Sequence, residues 1–485
     1  MSVPLTGILL IPLGLLLAAM PWRYALAGLM VFAMLSPAAV VNAGNFGLQP
    51  GYFLALLLIG RTIVQIMTDR FTLNRIVLSK MLPLFWFLAL CFMVLFIALC
   101  FFQGSVETLS GSSGFKSGMI RPFQLARENF TQLFYLIVNI CLVYALAHGG
   151  LRHEPEKLPQ VWDRAIVCGL VFSVLVCLWQ FASLYGALPF PSDFFYSNAG
   201  YGRADSQSMV GLFRINGSFE EPSTLGYTFT GYLLYAWGRY GLRPTGANLA
   251  MIAASVFCLL VSTSTTAFLG LFLFFCVAAF DVMTGRARLF PGKGQLTSGY
   301  LLAIALIVAA GLAFLAVLAA NWAAIEIILR NTLFNKIGST SFQQRSFADS
   351  LALQIFAQTG GIGVGLGSHK ANSLLLTLLS NLGIVGVVLF GAFVLGVLKW
   401  KAPASPHGRP GEFSVRPFQL GLSGFLAIHL FSNPNLSVLT LWLAIGSMLG
   451  LQAWAARYQA PKAAGRQREF ARAGSEPERP LHAPT

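Results

Sequence analysis

The chain has 485 residues, 56% of them hydrophobic and only 10% charged, with a formal net charge of +15. Apolar runs of about 20 residues recur along nearly its whole length, each enough for a helix to cross a bilayer core of roughly 30 Å, and this excludes a soluble globular chain. The lysines and arginines are scattered among short connections and the tail rather than gathered on one face, which argues for membrane topology and against nucleic-acid binding.

In chain order, the first run, MSVPLTGILLIPLGLLLAAM, lacks a basic leader and is followed by further apolar runs. It reads as a retained first helix. Candidate spans fall near residues 5–20, 24–41, 52–67, 81–102, 131–147, 165–186, 224–238, 248–262, 266–283, 299–321, 374–398, 417–431 and 435–455. Their residues do not alternate apolar and polar, so a transmembrane β-barrel is excluded. The expected fold is all-α: a polytopic integral membrane protein of about 12–13 transmembrane helices, the uncertainty being whether the pair around Ser262–Thr266 is one broken helix. Residues 1–455 form one transmembrane domain, and residues 456–485, rich in Ala, Pro, Arg and Glu, read as a disordered cytoplasmic tail. The seven cysteines all lie in apolar runs without metal-ligand spacing, so they read as small buried hydrophobes, and neither metal nor cofactor is expected. Arg61, inside an apolar run two turns from its end, is expected to snorkel.

Orientation follows from the short basic connections: Arg70, Arg75 and Lys80; Arg152, Lys157 and Arg164; Arg239 and Arg243; Arg286, Arg288 and Lys293; Lys399, Lys401, Arg409 and Arg416. The positive-inside rule puts these in the cytoplasm. The alternate connections then face outward, and three are long: about 103–130, 187–223 and 322–373. They nevertheless carry Lys116, Arg121, Arg127, Arg203, Arg214, Arg330, Lys336, Arg345 and Lys370. Cations kept on the outer side against that bias point to an anionic partner there.

Within these connections, RADSQSMVGLFRINGSFEEPS (Arg203–Ser223) joins two arginines, Arg203 and Arg214, to the adjacent carboxylates Glu220 and Glu221. Such a set suits holding an anionic group while activating a hydroxyl. In SFQQRSFADSLALQIFAQTG, the spacing places Phe347, Leu351 and Ile355 on one helical face, with Ser341 as N-cap and Arg345 in the first turn, where the helix dipole favours an anion. The glycine-rich GGIGVGLGSHKANS, which includes Gly365 and Gly367, lets backbone approach a ligand and offers amide donors; His369, Lys370 and Asn372 follow where the chain re-enters the membrane. It is not a phosphate-binding P-loop, because no Gly-Lys-Ser/Thr follows in register.

Three of these stretches, in this order, resemble the O-antigen ligase/polymerase superfamily of bacterial membrane glycosyltransferases. They are Arg214-x-x-Gly217-x-Phe219-x-Glu221-Pro222, the arginine of Ser341–Arg345, and Gly363-x-Gly365-x-Gly367 followed by NSLLLTLLSNLGIVG. The resemblance covers roughly residues 160–450. It implies a GT-C-like helical bundle in the bacterial inner membrane and an undecaprenyl-pyrophosphate-linked oligosaccharide as substrate. It also implies periplasmic, metal-independent transfer to a sugar hydroxyl. Arg214 and Arg345 would clamp the pyrophosphate, with Arg203 a weaker third, and Glu221 would be the base with His369 its competitor. Glu220, Lys370, Gly365, Gly367 and Asn372 would line the substrate. A flippase and a chain-length regulator are the implied protein partners. Ligases of the superfamily place a histidine where this chain has Ala371, and relatives carry an arginine where VSTSTTAFLGL has only hydroxyls. The missing histidine favours a polymerase over a ligase. A transporter or flippase for a lipid-linked sugar would need several mid-membrane charges, and Arg61 is almost the only one.

Overall fold

The computed structural model describes residues 1–69, 73–109, 120–186, 188–201, 208–209, 212–286, 340–400, 414–433 and 435–458, with isolated positions between 297 and 326. The protein is mostly helical. In chain order the helices are α1 (Leu5–Ala19), α2 (Trp22–Ala33), α3 (Pro50–Thr68), α4 (Arg75–Phe101), α5 (Arg127–His153), α6 (Leu158–Gly186), the short α7 (Ser192–Phe195), α8 (Pro222–Leu242), α9 (Gly246–Val261), α10 (Thr265–Met283), α11 (Thr340–Gln358), α12 (Leu374–Leu398), α13 (Arg416–Ser432) and α14 (Leu439–Tyr458). Among the described residues seven of these, α3, α4, α5, α6, α10, α12 and α14, are long and apolar enough to cross a membrane. Three more, α1, α2 and α9, are shorter apolar helices. Most of the span expected near 299–321, and the tail beyond residue 458, lie outside the described residues.

Helix starts follow local chemistry. The Asn74 side chain accepts the amides of Ile76 and Val77 to cap α4, and Thr245 and Ser373 cap α9 and α12 in the same way. Pro50 and Pro222 open α3 and α8, where a missing N–H costs nothing. The perimeter helices turn large apolar side chains outward, such as Trp86 and Phe96 on α4 and Phe272 and Phe275 on α10, as lipid contact requires.

The innermost element is α8, in which every residue from Thr224 to Gly238 is buried. It packs against α9, α10 and, most extensively, α13. Small residues permit this: a Cβ at Gly231 would meet the Gly421 carbonyl at 3.2 Å, and one at Gly238 would meet the Pro417 Cα at 2.7 Å. Backbones brought this close supply the packing that replaces a hydrophobic driving force inside lipid.

The two ends of the bundle are built differently. Three antiparallel two-stranded ribbons, β1–β2 (Val41–Ala43 with Phe46–Leu48), β3–β4 (Glu107–Thr108 with Arg121–Pro122) and β5–β6 (Ser208–Met209 with Leu212–Phe213), sit in the connections α2–α3, α4–α5 and α7–α8. At the other end, ion pairs join neighbouring helices: Arg152 to Asp69, Arg239 to Asp163 at 3.4 Å, and Arg416 to Asp281 at 2.6 Å.

The alternative left open between 262 and 266 resolves to separate helices α9 and α10: Thr263 between them takes φ +46°, a left-handed turn that ends the hydrogen-bond ladder. Arg61 stays partly exposed and reaches the C-terminal end of α1, where its Nη1 donates to the carbonyls of Ala18 at 2.9 Å and Met20 at 2.7 Å. Two expectations are corrected. First, only Cys91, Cys177 and Cys258 are buried, and the other four cysteines lie exposed on the outer faces of their helices. Second, α11 opens at Thr340, so Ser341 is inside the helix rather than its cap.

Candidate functional site

The arginine-to-glutamate stretch folds into a tight corner before α8. Gly217 takes φ +59°, and a Cβ there would meet the Cys177 sulfur at 2.6 Å, so only glycine fits. Gln180 of α6 receives the amides of Asn216 at 3.1 Å and Gly217 at 2.7 Å and donates back to Asn216 Oδ1 at 2.9 Å. The Tyr196 hydroxyl donates to the Gly217 carbonyl at 2.6 Å, and Phe219 is buried edge-on against Phe229. With its centre sunk in the protein, the corner turns Arg214 at one end and Glu220 and Glu221 at the other toward the same face.

Glu221 occupies the N-cap position of α8, yet its carboxylate makes no capping bond. It is exposed and accepts the Ser223 hydroxyl at 3.0 Å. Glu220 is half-buried and accepts the Thr224 hydroxyl at 3.3 Å. Burial first, and the neighbouring Glu221 charge second, push its carboxyl up to about 7, while Lys370 and the Thr224 bond pull the other way. Arg214 is half-buried; desolvation works against its charge, the nearby Glu221 carboxylate supports it, and Arg345 opposes it. Arg214 therefore lies within electrostatic reach of Glu221 and Arg345, and Glu220 within reach of Glu221 and Lys370, which links five residues from three separate stretches. Arg203 lies outside the described residues.

Arg345 reaches this group from α11. The buried stripe of that helix is Ala348, Leu351, Ala352 and Ile355, whereas Phe347 is 47% exposed. The periodicity around Leu351 and Ile355 holds, but it extends back through small Ala348, which lets α11 lie close against α12 and β3. One turn on from Arg345 is Asp349, whose carboxylate accepts the Asn372 amide at 2.8 Å. Burial raises the Asp349 carboxyl, and the Asn372 bond and the Arg345 charge oppose the rise. Asp349 thus ties the arginine-bearing helix to the start of α12, and Asn372 serves through its backbone.

The glycine-rich turn plays a different part from the one expected. Gly363, Gly365 and Gly367 all take φ near +90°, but they meet protein rather than open space. A Cβ at Gly363 would strike the Asn381 carbonyl carbon at 2.6 Å, one at Gly365 the Leu95 side chain at 2.6 Å, and one at Gly367 the Glu128 carbonyl at 2.6 Å. Its amides are largely spent internally: Val364 donates to Ser380, Gly365 to the Asn381 carbonyl, and Ser368 and His369 to Asn381 Oδ1. The turn docks into a break in α12 at Gly383, where φ is +64° and the Gly361 carbonyl receives the Ile384 amide. Gly365 and Gly367 are packing residues.

His369 is likewise a brace. It is 2% exposed; its Nδ1 accepts the Leu109 amide at 3.2 Å and its Nε2 donates to the Ala348 carbonyl at 3.1 Å. With both nitrogens engaged by main chain, and burial pulling it down to about 4, the ring stays neutral and is unavailable as a base. It locks the α4–α5 connection, α11 and the glycine turn together, and so fixes where the adjacent Lys370 stands. His429 is also structural: fully buried, it makes an Nε2 hydrogen bond to the Asn435 carbonyl at 3.0 Å and packs against Tyr227 and Phe425.

A group of tyrosines beside Glu220 has no local signature in the sequence. Tyr201 lies within reach of the Glu220 charge and of the hydroxyls of Tyr52, Tyr135 and Tyr227. The Tyr201 hydroxyl accepts from Gln49 Nε2 at 3.0 Å, the Tyr52 and Tyr135 rings are 4.8 Å apart, and the Tyr227 hydroxyl accepts from Asn433 Nδ2 at 2.8 Å. These come from four separate stretches, so no local motif announces them. Tyr52 and Tyr227 are buried, so the ring of this group that is open beside the charged cluster is Tyr201, 41% exposed and suited to a sugar ring and its hydroxyls. Among the described residues no group of three His, Cys, Asp or Glu side chains could hold a metal ion.

No family model, curated protein or solved structure matches this chain.

Proposed function

We propose that the protein is a membrane glycosyltransferase of the O-antigen ligase/polymerase type. In this reading it joins oligosaccharide repeat units carried on undecaprenyl pyrophosphate into exopolysaccharide or O-antigen, at the periplasmic face of the bacterial inner membrane. The bundle crosses that membrane about 12–13 times. The observation that carries the reading is the convergence of Arg214, Arg345 and Lys370 with Glu220 and Glu221 at the ribbon-bearing end of a helical bundle. Like charges gathered there repel one another until an anion joins them, and charge-assisted hydrogen bonds to a pyrophosphate contribute roughly 1.5–3 kcal/mol each.

In the transfer, an acceptor sugar hydroxyl attacks the anomeric carbon of the donor. The new carbon–oxygen bond forms as the bond to the pyrophosphate oxygen breaks, and the lipid pyrophosphate leaves with the electron pair. Arg214 and Arg345 take up the charge that grows on the leaving oxygen. Glu220, with its carboxyl pushed up to about 7, is poised to accept the proton of the attacking hydroxyl, because a base works best with a pKa near the working pH. Glu221 supports the Arg214 charge, and the exposed Tyr201 ring seats a sugar.

The test is a deletion strain complemented with wild type, Arg214→Ala or Arg345→Ala, with lipid-linked intermediates and surface polysaccharide resolved by size. Both variants should insert normally and yield single repeats without long polymer. Normal chain lengths in both would refute the reading. Full-length polymer that remains on its lipid carrier would indicate a ligase, and single repeats trapped on the inner leaflet a flippase.

A further inference from the structure

Two helices begin side by side at the ribbon-bearing end. A Cβ at Gly226 of α8 would meet the Ala267 amide nitrogen of α10 at 2.9 Å, and one at Gly270 of α10 would meet the Thr230 hydroxyl of α8. Contacts that advance together along both helices mean that α8 and α10 run parallel and in register, with small residues between them. Ser264, at the N-cap of α10, therefore stands level with the first turn of α8, which Glu221 opens. The Ile215 amide donates to the Val261 carbonyl at 3.4 Å, so Arg214 lies beside the turn that leads into α10.

The positive dipole ends of these helices are not answered alike. The Glu221 carboxylate stands at the start of α8. The first turn of α10 holds no acidic residue, and its N-cap side chain makes no capping bond. The ladder of α10 starts with the Phe268 amide donating to the Ser264 carbonyl at 3.0 Å, which leaves the Thr265 and Thr266 amides without an acceptor inside the helix. Ser264 is 3% exposed, and among the described residues its hydroxyl has no hydrogen-bond partner. Its oxygen is not sealed off as that of the neighbouring Thr263 is. A serine at an N-cap ordinarily spends its oxygen on the amides of its own helix. Here the hydroxyl and two amides stay available together, beside a guanidinium. Amide donors at a helix N-terminus, a hydroxyl and an arginine form a phosphate-binding set.

We propose that the start of α10 binds one phosphate of a pyrophosphate group, through Ser264 Oγ and the Thr265 and Thr266 amides, next to the phosphate held by Arg214. On the transferase reading above, on which this rests, α10 holds the leaving group and takes no proton.

The full-length protein, purified in detergent, would be titrated with inorganic pyrophosphate, with farnesyl pyrophosphate and with sulfate, reading the thermal midpoint. Both pyrophosphates should raise the midpoint where sulfate does not. A response at lower concentration with the prenyl form would identify the lipid-borne group as the ligand, and equal responses the free anion. Ser264→Ala should weaken the pyrophosphate response by about tenfold with the ligand-free midpoint nearly unchanged, because no bond of the fold is lost. Ser264→Asp supplies both a cap and an anion to α10, so the ligand-free midpoint should rise while the response disappears. A purely structural role would not move these two readouts in opposite directions. A wild-type-sized response in Ser264→Ala, or a sulfate response equal to that of pyrophosphate, would overturn the proposal. Polymer of normal length in Arg214→Ala and Arg345→Ala, with the response still lost in the Ser264 variants, would refute the transferase reading and leave the site standing. Lost polymer in the arginine variants with a wild-type response in Ser264→Ala would do the reverse.

Discussion

The two ends of this bundle use charge in opposite ways. At the end marked by Arg152–Asp69, Arg239–Asp163 and Arg416–Asp281, cations meet carboxylates one to one across neighbouring helices, and the pairs act as staples. At the other end, Arg214 lies within reach of Arg345 as well as Glu221, Glu220 within reach of Glu221 and Lys370, and the Glu220 carboxyl is driven up to about 7. A one-to-one pair is complete in the folded chain, whereas a crowd of like charges is stable only because a surrounding framework holds it. That framework is visible in the Gln180–Asn216 exchange, the His369 brace and the docking of the glycine turn on Asn381. Stability resides in the first kind of contact and chemistry in the second, and substitutions should separate them.

The largest effect expected is at Glu220. Replacing it with Gln should lower the transfer rate by about 10²–10⁴-fold with little change in thermal midpoint. In the wild type the rate should climb as pH rises through about 7, since the base must lose its proton to act, and the variant's profile should be flat there. A wild-type profile in Glu220→Gln would return the role to Glu221. Next, Arg416→Ala strands the buried Asp281, whose only other carboxylate contact among those described is Trp237 Nε1 at 2.9 Å. Losing one partner of a buried pair costs about 3–5 kcal/mol, and it should appear as a lower midpoint in detergent with polymer length unchanged in protein that folds.

Asn381→Ala tests the framework. It removes the acceptor for Ser368 and His369 and the donor to the His369 carbonyl, all buried. A loss of about 2–3 kcal/mol is expected, and activity should fall with it because Lys370 and Asn372 lose their footing. A fall in stability with activity intact would show that the turn does not position the site. The smallest effect belongs to Arg239→Ala, a half-exposed pair at 3.4 Å, which should change the unfolding midpoint by less than about 1 kcal/mol equivalent.

By itself the sequence determined where most helices lie, since membrane spans need long apolar runs and twelve of the thirteen expected runs overlap helices in the described residues, the run at 24–41 being helical only to Ala33. It also marked the polar stretches that converge, because charge surviving in so apolar a chain is conspicuous: Arg214, Glu220, Glu221, Arg345 and Lys370 were all legible. Only the tertiary structure decided which of them carries which load. A glycine that approaches a ligand and one that approaches its own chain read identically, so Gly365 and Gly367 looked like a ligand turn until Leu95 and Glu128 filled the space beside them. His369 looked reactive until Leu109 and Ala348 occupied both nitrogens, from positions 260 and 21 residues away. The raised Glu220 carboxyl comes from desolvation, and the tyrosine group from α3, α5, α8 and the α7–α8 connection meeting. Burial and long-range contact are properties of the packed chain, and no local pattern encodes them.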